Sequence, residues 1–163
     1  MDGRITKFNF IKGDVPQTDK EAFWKQVRAQ AEIHLEEAQE MLDAAINEDL
    51  QELLDGSMDC WFVREYMDDI LEANGIDVKL AKQMVCDNNL SKFTTNPTVV
   101  EQSVQKLINS GNPVNVGAVS YDGELFYALR RIPDGKVMKP ITHVAPELDK
   151  CISEKVLERL CGN

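Results

Sequence analysis

Six carboxylic acids are the residues of this chain best placed for chemistry: Glu36, Glu37 and Glu40 in LEEAQEM, then Glu52, Asp55 and Asp59 in QELLDGSMD. Wound at about 100° per residue, each trio gathers on one face of a helix. With Glu36 as origin, Glu37 and Glu40 fall within about one quadrant, into which Ile33, Ala29 and Ala44 also project. The neighbouring sector, with Lys25, Arg28, Glu32, Gln39 and Asp43, reads as solvated; Phe23, Val27, Ala38, Met41 and Ala45 form an opposite apolar stripe. On the second stretch Glu52, Asp55 and Asp59 share a line that continues into Val63, Tyr66 and Ile70, so a carboxylate row becomes a core stripe. Carboxylates drawn toward a core are costly unless they are paired with cations or hold a metal. Cations are scarce here: from Glu32 to Asp77 there are fifteen acids and one base, Arg64, a local charge of −14, whereas the other thirteen acids and seventeen bases give +4. Ligation by oxygen alone points to Mg²⁺, with Mn²⁺ as a substitute, rather than zinc. The plain alternative is a solvated acidic face on a helical hairpin, and the apolar neighbours on the same faces weigh against it.

Ions held by such a set would orient a triphosphate, acidify a bound water and stabilise charge during in-line displacement at phosphorus. A spare glutamate could serve as general base. Donors for phosphate and base are available in Asn88-Asn89-Leu90-Ser91-Lys92 and in Lys136 and Lys139. By spacing alone that run is equally a helix-end loop.

Taken in order, EExxE at Glu36, Glu37 and Glu40, ExxDGxxD at Glu52, Asp55, Gly56 and Asp59, then Gly75-Ile76-Asp77, NNLSK, and DGKVMKP with Pro146-Glu147-Leu148 resemble the all-α nucleoside triphosphate pyrophosphohydrolases. These include the MazG-like and phosphoribosyl-ATP pyrophosphohydrolase-like proteins, and the β-ribbon tail is similar to bacteriophage-encoded versions. The resemblance spans about Ile33 to Asp149. It implies Mg²⁺-dependent cleavage between the α and β phosphates, giving a nucleoside monophosphate and pyrophosphate, in a homodimer or dimer of dimers. It also implies metal-binding roles for Glu36, Glu37, Glu40 and Asp59, with Glu52 and Asp55 as further members. Glu37 or Glu36 would activate the water, and Asn89, Ser91 and Lys92 would touch the nucleotide. The chain departs from the family pattern where ExxD is spread over Glu52, Asp55 and Asp59, and where NNLSK replaces the commoner SNMSK.

The elements that must hold these residues are mainly helical. Thr18 is placed to cap a helix from about Asp19 to Asn47. A second helix runs from about Glu48 to Ala73 and ends at Asn74-Gly75. Asp77 opens a third, about Val78 to Asn88, and Pro97 a fourth reaching about Ser110. From Gly111 the pattern alternates, Tyr121-Asp122-Gly123-Glu124 signals a hairpin, Leu125 to Arg131 returns, and Lys136 to Met138 is placed as a third strand. The whole reads as one domain: an irregular arm (1–17), a helical bundle (18–110), a β-ribbon and tail (111–149) and a short C-terminal helix (150–163).

At 163 residues, 43% apolar and 28% charged, the chain can form a core of its own. It has no run of about 18 apolar residues and no signal-peptide pattern, which gives a cytoplasmic expectation. Four scattered cysteines without a C-x-x-C pair suggest reduced thiols. A net charge of −10 argues against nucleic acid or an anionic membrane as main partner. His34 and His143 read as structural, and Trp24 and Trp61 as core or dimer contacts. The leading expectation is therefore hydrolysis of (deoxy)nucleoside triphosphates. Its rival is a non-catalytic acidic helical interaction protein.

Overall fold

The computed structural model describes residues 3–162. Within them are α1 (Gly3–Lys12), α2 (Lys20–Ile46), α3 (Leu50–Ala73), α4 (Val78–Leu90), β1 (Phe93–Thr94), α5 (Pro97–Asn109), β2 (Val114–Tyr121), β3 (Glu124–Arg131), a 3₁₀ turn (Leu148–Cys151) and α6 (Glu154–Cys161). The chain is mainly helical with a small antiparallel sheet, as its periodicity indicates. Two compact units form, one from the residues up to Val78 with those from Asp149 onward, the other Lys79–Leu148. The first two positions of the expected arm and the last of the expected C-terminal helix lie outside the described residues.

The first unit is built on the hairpin of α2 and α3. Asp19, not Thr18, caps α2: its backbone is extended and its carboxylate accepts from the Glu21 and Ala22 N–H groups. Asp49 does the same for α3 through Gln51 and Glu52. Between them Glu48 adopts a left-handed φ of 57°, which reverses the chain within three residues. The helices run antiparallel, since Met41 meets Gly56, Gln30 Nε2 donates to Val63 O at 2.9 Å, and Gln26 Nε2 reaches Tyr66 Oη at 3.4 Å.

The buried face of α2 differs from the expected apolar stripe. Ala45 is exposed while Ala44 is buried, and Phe23, Gln30, Glu37 and Ala44 recur every seven residues along the seam that faces α3. A seam with two polar members has no hydrophobic signature, so the partner helix decides it. On α3 the core stripe is as expected, with Val63, Tyr66 and Ile70 buried, but the carboxylate row that continues it is not drawn inward: Glu52, Asp55 and Asp59 are exposed, because the seam with α2 closes on Gly56 instead.

The expected irregular arm is instead mostly α1. Ile5, only 1% exposed, joins Phe23, Tyr66, Ile70, Val156 and Leu160 in one core, and Gly13 ends the helix at φ 92°. Thr6 Oγ1 donates to Asp69 Oδ2 at 3.0 Å and Tyr66 Oη to Asp14 O at 2.7 Å, so α1 and its exit are tied to α3. From α6, Arg159 donates to Asn74 Oδ1 and Asn74 O, both at 2.8 Å, and Leu160 O accepts from Trp24 Nε1 at 2.8 Å.

In the second unit Asn96 caps α5 and Pro97 opens it. The hairpin pairs Val114 with Arg131 through Tyr121 with Glu124, and Asp122 and Gly123, at φ 50° and 80°, make the two-residue turn. The third strand is β1, not Lys136–Met138: Phe93 pairs with Ala128 and Thr94 with Tyr127, giving the order β1-β3-β2. Val137 makes only an isolated bridge to Arg130, because β1 already occupies part of that edge of β3. None of the described helices is long and apolar enough to cross a membrane.

Candidate functional site

Glu37 is the half-buried member of the acidic set. Partial burial pushes its carboxyl above the usual range, and the charges of Asp59, Glu40, Glu36 and Asp55 push it the same way. The structure thus brings four of the other five proposed ligands within electrostatic reach of Glu37. Glu52, exposed in the first turn of α3 where its N–H is held by Asp49, is not among the charges that act on Glu37. Arg64, the one base of the acidic block, meets Asp68 instead, Nη2 to Oδ1 at 2.9 Å.

Close helix approach makes this meeting of acids possible. A β-carbon added to Gly56 would lie 3.1 Å from both Cα and N of Met41, tighter than ordinary packing, so glycine lets the backbones come this near without displacing either. Glu37 and Asp59 then border one cavity of about 410 Å³, with Phe8, Asn9, Gln30 and Phe62 among its other walls. A second cavity shares Lys12, Gln30, Ile33 and Tyr66 with the first and adds Lys25. Lys12 also pairs with Asp14 at 2.8 Å.

The donor set suits Mg²⁺ in type, all oxygen, and comes from both helices of the hairpin. Among the described residues no group of three or more His, Cys, Asp or Glu side chains is gathered tightly enough to hold an ion as it stands. Side-chain rotation of the exposed Glu36, Glu40, Asp55 and Asp59 would be needed to close a coordination sphere.

Asn89, Ser91 and Lys92 belong to the second unit. Lys92 Nζ donates to Asn89 Oδ1 at 2.6 Å, and Asn89 Nδ2 to Val85 O at 2.9 Å, so these two brace each other. Ser91 borders a cavity of about 350 Å³ together with Asn88, Asp87 and Pro146. Ser91 Oγ lies 2.8 Å from His143 Nδ1 and 2.8 Å from Asn88 O, while Asn88 Nδ2 lies 3.3 Å from His143 Nε2 and donates to Val144 O at 2.7 Å. Donor accounting assigns the protons. An amide nitrogen donates, so Nε2 accepts; Nδ1 therefore carries the hydrogen and donates to Ser91, whose hydroxyl donates to Asn88 O. Burial, then Lys139 and Lys92, hold the His143 pKa below its usual value, in keeping with a neutral ring.

Asn9 and Gln30 were not legible as site residues. Gln30 could have been found from its seven-residue spacing to Phe23 and Ala44, and Asn9 from the helical spacing Ile5, Phe8, Asn9, Lys12. The four cysteines are free thiols. No family model, no curated protein and no solved structure matches this chain.

Proposed function

We propose that the protein is a Mg²⁺-dependent nucleoside triphosphate pyrophosphohydrolase of the all-α, MazG-like type, releasing a nucleoside monophosphate and pyrophosphate. The observation that carries this reading is Glu37, a seam carboxylate whose charged neighbours are four further carboxylates. Glu36, Glu37, Glu40, Asp55 and Asp59, with Glu52 as the outlying member, would hold the metal. Mg²⁺, when bound, neutralises the triphosphate and lowers the pKa of water. Glu37, whose carboxyl its surroundings push upward, accepts the proton of the attacking water, with Glu36 as the other candidate. For Asn89, Ser91 and Lys92 the family resemblance implies nucleotide contact. The cavity beside Ser91 supports that role for Ser91 alone.

Leu35, Leu42 and Ile46 on α2 and Leu50, Leu54 and Trp61 on α3 are all exposed, each trio at helical spacing. A second copy of the chain covering this stripe gives the homodimer or dimer of dimers, to be read by sedimentation before and after Leu54→Glu. The activity test is pyrophosphate release from a panel of ribo- and deoxyribonucleoside triphosphates with and without Mg²⁺. Metal-dependent release is expected, and silence across the panel would reject the enzyme. The second reading, a non-catalytic acidic interaction module in the cytoplasm, draws on the looseness of the carboxylate set; it would be supported by tight binding of a basic partner together with that silence.

A further inference from the structure

Two amide side chains in the first unit are buried in an unusual way. Asn9 is 5% exposed and Gln30 9%, yet both border the cavity that Glu37 and Asp59 also border. Each is fixed through its nitrogen: Asn9 Nδ2 donates to Ile5 O at 3.0 Å, and Gln30 Nε2 to Val63 O at 2.9 Å. Those bonds settle which way the amides point and leave Asn9 Oδ1 and Gln30 Oε1 without a hydrogen bond among the described residues. Two amide oxygens on one cavity wall that accept from no described residue suit a ligand that donates. The cavity walls add a flat apolar surface. Phe8 and Phe62 stand edge to face, ring centres 5.3 Å apart, an arrangement that leaves ring faces open to a third plane. A volume of about 410 Å³ is ample for one planar heterocycle.

The geometry points to this cavity as the subsite for the nucleobase, a planar heterocycle stacked on Phe8 or Phe62 and donating ring N–H or exocyclic amino hydrogens to Asn9 Oδ1 and Gln30 Oε1. This deepens the nucleotide reading given above and rests on it. The base enters beside the carboxylates, so its phosphates extend toward Glu37 and Asp59 and away from the amide wall. A carboxamide with its nitrogen tethered reads the donor positions of a base edge, the chemistry by which Asn and Gln distinguish bases elsewhere. Discrimination between bases therefore resides in α1 and α2.

The test uses the full chain in chelator, so that metal plays no part. Adenosine, guanosine, cytidine and uridine are titrated, with ribose 5-phosphate and tripolyphosphate as controls, and the side-chain amide signals of Asn9 and Gln30 are followed by NMR. At least one nucleoside is expected to move both signals while the two controls leave them in place. Asn9→Leu and Gln30→Met should weaken that nucleoside at least tenfold. Phe8→Ala, at a half-exposed position that leaves the core intact, should weaken it as well. Saturating nucleosides that leave both amides unmoved, or folded variants that bind as tightly as the parent, would overturn the inference. Nucleoside binding without pyrophosphate release from any triphosphate would remove the hydrolase reading and keep the pocket. Release whose ranking of bases is the same in all three variants would keep the hydrolase and remove the pocket.

Discussion

Gly56 lies against the backbone of Met41, and a β-carbon there would stand 3.1 Å from Met41 Cα. The contact is mainly backbone, not a flexible side-chain end, so a larger residue presses on α2 and the helix must give by a few tenths of an ångström. It lies about one turn from where Glu37 and Asp59 face the same cavity, so spacing at the glycine controls spacing at the acids.

Gly56→Ala should therefore destabilise although alanine is the better helix former by about 1 kcal/mol. Overpacking of this kind costs about 1–3 kcal/mol. A chain this long loses roughly 2–4 °C in Tm for each kcal/mol. Thermal melts followed by circular dichroism measure it, and a raised Tm would mean that the helices part without cost.

Glu37→Gln should raise stability at neutral pH when metal is chelated. The folded carboxyl binds its proton more tightly than the ordinary value of 4.5, for burial first and then Asp59, Glu40, Glu36 and Asp55. Stability from this group accordingly falls as pH rises from 4.5 through the folded pKa, and the cost is fully present above it. The variant should melt a few degrees higher at pH 7, a gain below about 1 kcal/mol for a partly solvated group. The difference should vanish below pH 4.5, and a gap that persists in acid would place its origin in packing.

Added Mg²⁺ should raise the Tm of the parent protein, by an amount equivalent to about 2.7 kcal/mol at a hundredfold excess over Kd. Asp59→Asn and Glu40→Gln keep size and remove charge. Both should lose most of that metal-dependent rise and roughly 100-fold in turnover, with helical content unchanged. Full Mg²⁺ stabilisation of both variants would take the ion elsewhere.

Asn88→Asp should reverse the preference of His143. In the parent the ring is neutral, its pKa held below the ordinary 6.5 by burial, Lys139 and Lys92. A His with a lowered folded pKa contributes stability at higher pH, and loses it as pH falls below 6.5 toward the folded value. A carboxylate in place of the Asn88 amide would accept from Nε2–H, so His143 should titrate roughly one pH unit higher. The ring-proton shifts of His143 against pH report this directly, and an unchanged midpoint would break the proton assignment through Ser91.

Local punctuation and periodicity located the helices and the hairpin because each signal acts within a few residues. Asn74-Gly75 ends α3, Asn96-Pro97 starts α5, and Asp122-Gly123 turns β2 into β3 by the same short-range rules. The misplaced features are those set by distant partners. Residues 1–17 read as an irregular arm, yet α1 forms because Ile5 finds the core of α2, α3 and α6. Lys136 to Met138 has strand character, but β1 pairs with Tyr127 and Ala128 on that edge of β3 and leaves Val137 only a bridge to Arg130.

From the sequence alone follow the acidic block, its single base, the two helices that carry six carboxylates and the ribbon later in the chain. Residue type and spacing suffice for these. Only the tertiary structure decided that Glu37, rather than its neighbours, lies in the seam, that Gly56 lets the seam close, and that Arg64 turns to Asp68. It also decided that Asn9 and Gln30 border the same cavity as Glu37. A helix face is a local property, but which face is buried depends on the element that covers it. The chemistry of a carboxylate or an amide depends on that covering.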